Sequence, residues 1–135
     1  MQPKDIAKDT AKVVRNYLTY QAVKLIIEQL TETNPTEAIW LRQYSSGGRL
    51  QDGEKYLEEL MSEIQGKPLV MRIMAVRDDL GMQVLEHLPE MVSDSIKQAN
   101  LEHRRHLLER LTRSSSEADN LDTELDANEP FDENK

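Results

Sequence analysis

The chain has 135 residues and a mass of 15.6 kDa, which is room for one ordinary domain. It has no cysteine, which excludes a disulfide scaffold, a thiolate metal site and a cysteine nucleophile. Its 25 acids against 17 bases give a net charge of −8, which argues against nucleic acid as a partner, because such binding draws on a surplus of bases to neutralise phosphates.

The first helical segment spans Pro3 to Glu32, with Pro3 suited to a first helical turn and no glycine or second proline before Pro35. At ~100° per residue, Ile6, Val13, Tyr17, Tyr20 and Ile27 gather on one arc. Ala7, Ala11, Val14, Leu18, Ala22 and Leu25 form a second arc, and Val23, Ile26 and Leu30 close much of the circle further on. A helix that is apolar on several sides is packed on several sides.

The second segment opens at Asn34-Pro35-Thr36-Glu37, where Asn34 is a good cap, Pro35 takes the first helical position and Glu37 is placed to reach back. It carries Ile39, Trp40, Leu41 and Tyr44 and ends at Gly47-Gly48. Asp52 caps a third helix whose apolar face is Tyr56, Leu57, Leu60, Met61 and Ile64, with Gly66 as its stop. From Pro68 to about Arg113 nothing reads as a loop: Leu69, Ile73, Val76, Leu80, Val84, Leu88 and Met91 keep helical spacing, as do Val92, Ile96, Ala99, Leu107 and Leu111. Gly81 weakens this helix by ~1 kcal/mol, and Pro89 predicts a kink near residues 85–89. Unkinked, it would reach ~65–70 Å, too long to lie flat on a body of ~13 Å radius of gyration, so it bends, projects or lies along a second copy.

Charge divides the chain. From Ser114 onward there are eight acids and one base, a net of −7, whereas residues 1–113 come to −1. The expected organisation is a helical domain over 1–113 and an acidic disordered tail over 114–135. No apolar run approaches the ~20 residues of a membrane span, and the N-terminus has no signal-peptide character, so a soluble cytoplasmic protein is expected.

Sites of chemistry are sparse. His103 and His106 are three apart, but no third ligand has a clear place, so a polar helix face is the better account than a metal site. No Glu-x-x-His pair, phosphate-binding glycine loop or nucleophile elbow is present, so the sequence gives no sign of an enzyme or a cofactor. Tyr17 and Tyr20 stand one turn apart on one face; they fit core packing, or a binding surface of large amphipathic area. Gln29 and Glu32 are neighbouring polar positions, and Arg72 and Arg104 sit towards opposite ends of the last helix. Each of these four is compatible with solvated surface or with a polar contact to a partner.

The stretches LTYQAV at 18–23, ETNPTEAIWL at 32–41, VLEHLPEMV at 84–92 and IKQAN, HRR and LLERLT within 96–112 resemble the RbcX family of RuBisCO assembly chaperones, over nearly all of 1–113. The resemblance implies an all-α, four-helix unit whose long Pro/Gly-kinked last helix builds an arc-shaped homodimer. It implies that this dimer binds the C-terminal peptide of RuBisCO large subunits in a central apolar groove and holds the subunits paired until small subunits dock. On this resemblance Tyr17, Tyr20 and Leu50 line the groove, with Leu50 at a position often held by isoleucine. Gln29, Glu32, Arg72 and Arg104 correspond to corner surfaces that contact the body of the large subunit. The implied setting is the cytoplasm, near or in carboxysomes, with no membrane, nucleic acid, metal or cofactor. Two other classes stay open: a helical homodimeric adaptor for an unrelated peptide, and a scaffold acting through its acidic tail.

Overall fold

The structure, a computed structural model, describes residues 1–123 and the side chains of residues 1–117. Among the described residues there are four α-helices, α1 (Pro3–Thr33), α2 (Pro35–Tyr44), α3 (Gly53–Met61) and α4 (Gly66–Thr123), and a 3₁₀ turn at Arg49–Gln51. The all-α expectation holds. The chain divides into two units, Met1–His87 and Leu88–Lys135, and α4 enters both.

In the first unit, local chemistry sets the helix ends. The Asn34 side-chain oxygen accepts from the Glu37 amide at 3.3 Å while the Asn34 amide group donates to the Glu37 carboxylate at 2.9 Å. This reciprocal cap, worth ~1 kcal/mol, turns the chain sharply from α1 into α2. Asp52 caps α3 by accepting from the Lys55 amide at 3.3 Å. Gly47 and Gly48 lie at φ of +74° and +81°, the left-handed region that glycine enters without a Cβ penalty, and they release the chain from α2 into the 3₁₀ turn.

The core draws on every helix. Val23, Ile26 and Leu30 of α1 meet Ala38 and Leu41 of α2, Tyr56, Leu57 and Leu60 of α3, and Leu69, Val70 and Ile73 of α4. Trp40, Tyr44, Leu50, Met74 and Leu80 are half-buried against it. Trp40 and Tyr44 stack at 5.3 Å, the Tyr56 ring stands 5.8 Å from that of Tyr44, and the Arg49 guanidinium lies 4.4 Å over the Tyr44 ring. Four aromatic or cationic groups thereby join α2, α3 and the 3₁₀ turn.

Residues 3–13 of α1 are exposed on all sides in this chain, so its packing within the unit begins at half-buried Val14. Two expectations change here. Helix α3 ends at Met61, and Ile64, expected on its apolar face, is 99% exposed in the turn that follows. Gly66 does not stop α3. It starts α4, buried against α3: a Cβ there would fall onto the Leu60 carbonyl oxygen, so only glycine fits.

In the second unit, α4 continues past Arg113 to Thr123. The acidic composition after Ser114 predicts disorder there, but residues 114–123 contain no glycine or proline, and continuing an existing helix avoids the cost of nucleating a new one. Residues 124–135, the rest of the expected tail, lie outside the described residues. The described part of this unit is a single rod of ~54 Å. Val92, Ile96, Leu107 and Leu111 fall within one arc of it and are all exposed.

Candidate peptide-binding site

Helix α1 has two opposed faces from Asn16 onward. Thr19, Ala22, Val23, Ile26 and Leu30 point into the core at three- and four-residue spacing. Tyr17 and Tyr20 stand roughly 100–160° round the helix from them, and Ile6 and Val13 continue the same outer stripe towards the N-terminus. All four are open: Tyr17 is 60% exposed and Tyr20 43%. The tyrosines are therefore not packed in this chain's core. Their rings lie 6.2 Å apart, tilted by 32°, and form one continuous aromatic surface. The Gln21 amide donates to the Tyr17 hydroxyl at 2.9 Å, which holds the rim of that surface in place.

Leu50 sits in the 3₁₀ turn, half-buried against the core. The structure brings this turn to the tyrosine segment through α3: the Gly53 amide donates to the Asn16 side-chain oxygen at 3.1 Å. A Cβ at Gly53 would lie only 3.0–3.1 Å from Asn16 and Thr19, so glycine permits the close docking.

Of the four polar candidates, the structure joins two. The Arg72 guanidinium donates to the Gln29 side-chain oxygen at 2.5 Å, linking α1 to α4 on the surface. Glu32 is exposed one turn beyond Gln29. Arg104 is exposed in the second unit, where its neighbours Arg105 and Glu102 pair at 2.9 Å.

A set of residues that pattern reasoning passes over lies beneath the tyrosines. Thr19 is fully buried although polar. Its hydroxyl donates to the Arg15 carbonyl at 2.9 Å and accepts from the Arg77 guanidinium at 3.1 Å. The same guanidinium nitrogen of Arg77 reaches the Glu54 carboxylate at 2.7 Å, and Arg15 approaches that carboxylate at 3.7 Å. Sequence gives no signal for this cluster, because Thr19 and Arg77 are 58 positions apart.

Two phenols are perturbed. Burial pushes the Tyr56 hydroxyl up to about 12, and the hydrogen bond with Ser45, at 2.7 Å, pulls only partly against it. Burial also raises Tyr44, opposed by the nearby Arg49. Both belong to the core cluster and not to the outer face of α1. Among the described residues no group of three His, Cys, Asp or Glu could hold a metal ion, and His103 and His106 are both exposed. Among the same residues no helix is long and apolar enough to cross a membrane.

The RbcX protein family model matches residues 1–113. The RuBisCO chaperone RbcX of Synechocystis sp. is 52% identical over 124 residues, 92% of this chain and 88% of that protein. The RuBisCO chaperone RbcX of Thermosynechococcus vestitus is 47% identical over 126 residues, 91% of this chain and 98% of its own. A crystal structure of RbcX in complex with substrate superposes with a TM-score of 0.76 at 54% identity, covering 83% of this chain and 99% of that one.

Proposed function

The chain belongs to the RbcX family, and on that premise we propose that it is a RuBisCO assembly chaperone whose outer α1 face receives the C-terminal peptide of the large subunit. The observation that carries this reading is the exposed Tyr17–Tyr20 surface, on the side of α1 turned away from the core. Tyrosine offers apolar area and a hydrogen-bonding tip with few rotors to freeze, which suits an extended peptide that must later be released. Ordering such a peptide costs ~2–5 kcal/mol of the gross interaction, so the complex stays exchangeable. Leu50 supplies aliphatic surface in the turn docked beside the tyrosine segment. The role is non-enzymatic: holding and aligning subunits involves no bond-making step.

The working unit in this proposal is a homodimer. Its support is the exposed row of Val92, Ile96, Leu107 and Leu111 on a helix with no described packing partner in its own unit. Exposed apolar rows of this kind mark protein contacts. Gln29, Glu32, Arg72 and Arg104 are the proposed corner contacts to the body of the large subunit, and symmetric corners raise the effective concentration of the peptide contact. The proposed division is a chaperone domain over 1–113 and an acidic tail over 114–135. The proposed setting is the cytoplasm, near or in carboxysomes.

The test is co-migration of the purified protein with a synthetic peptide that copies the C-terminus of the large subunit. The wild type carries the peptide, and Tyr20→Ala loses most of it. An adaptor for an unrelated peptide instead binds scrambled and native sequences alike, and a scaffold acting through its tail loses function when 114–135 is deleted.

A further inference from the structure

We infer that Arg77 is a positioning residue for the Tyr17–Tyr20 surface, acting through the buried hydroxyl of Thr19. The inference rests on the proposed peptide role of those tyrosines. Fully buried apolar side chains of α1 begin only at Ala22, and residues 1–13 are exposed. Tyr17 and Tyr20 therefore stand where the helix leaves the body, beyond Ala22, the last fully buried apolar side chain. Between these limits Val14 and Leu18 are only half-buried, and polar contacts take over much of the hold on the inner face. Arg77 binds Thr19 and Glu54 at 3.1 and 2.7 Å, and the Gly53 amide binds Asn16 at 3.1 Å.

These contacts adjoin each tyrosine in sequence, Asn16 immediately before Tyr17 and Thr19 immediately before Tyr20. Each residue advances ~100° round a helix, so pinning two inward residues fixes the outward direction of those between and beside them. The Arg77 side chain is only 21% exposed, and water competes poorly for its bonds. Glu54 is held by Arg77 and approached by Arg15, so its carboxylate links α3, α1 and α4 at one point. With this brace intact, the platform is preformed and the peptide does not have to order it. Without it, the exit turn of α1 pivots, the rings lose their common surface, and binding weakens although the core is untouched.

The experiment measures binding of the same synthetic peptide to Thr19→Val, Arg77→Met and the double variant, beside amide hydrogen exchange of the free full-length proteins. Each single variant is expected to bind about fivefold or more weakly, with the double no weaker than Arg77→Met alone, because that variant already breaks the Thr19 linkage. Exchange at residues 15–21 rises while residues 22–30 keep their protection, and Thr19→Ser restores both readouts. If Arg77→Met does not fold, Thr19→Val decides. Unchanged exchange at 15–21, multiplying effects in the double, or loss of protection throughout 15–30 overturns the inference. The Tyr20→Ala variant separates the two ideas: if it binds like wild type, the peptide reading fails and the exchange pattern alone judges the brace.

Discussion

Raising the pH tests the packing of Tyr56, the largest fully buried side chain. Its hydroxyl titrates near 10.0 in an unfolded chain and at about 12 in the folded one. A group whose folded value is raised contributes stability that is complete below the unfolded value and is lost as pH climbs through the folded one. The window is therefore pH 10 to 12. By pH 11 the loss is about 1–2 kcal/mol, since each tenfold difference in proton affinity between the two states is worth ~1.4 kcal/mol. Tyr56→Phe removes this liability and also the hydrogen bond to Ser45, which costs about 1 kcal/mol at neutral pH. Denaturant unfolding followed by helical circular dichroism gives the comparison, with the other titrating groups common to both proteins. At pH 8 wild type is the more stable, and the gap closes or reverses near pH 11. A constant gap from pH 8 to 11.5 would refute the argument, because it would mean that the phenol ionises equally in both states.

The other predictions concern packing and contact. Ile26→Ala removes a fully buried side chain from the centre of the core and should cost ~2–5 kcal/mol in denaturant unfolding, with the folded spectrum retained at low denaturant. Gly66→Ala forces a Cβ onto the Leu60 carbonyl oxygen and should cost ~3 kcal/mol or more, or prevent folding, as read from expression and melting temperature. Arg72→Ala loses only an exposed bond to Gln29 and should change stability by less than ~1 kcal/mol, yet lower the yield of assembled complex with the large subunit in a pull-down.

Much of the fold is legible because its signals are local. Asn34-Pro35-Thr36-Glu37 contains the whole chemistry of a helix start, and both halves of the cap form between Asn34 and Glu37. Gly47 and Gly48 mark a stop that their backbone angles require. What stays hidden is set at a distance. Gly66 has the composition of a stop, but its role is close approach to a carbonyl on the preceding helix. Periodicity places Tyr17 and Tyr20 on one arc of α1, but which arc faces the core is decided by α2, α3 and α4 together. Thr19 looks like an interruption of an apolar run until Arg77 arrives beside it. The end of α4 is obscure for another reason: acidity and serine content signal disorder, whereas extending a helix already formed escapes the costly nucleation step.

The most direct measurement is molecular mass in solution by light scattering, with and without the synthetic peptide from the C-terminus of the large subunit. The account predicts twice the 15.6 kDa of one chain without peptide, and a rise by the mass of bound peptide when it is added. A mass of 15.6 kDa at working concentration that does not change with peptide would contradict it.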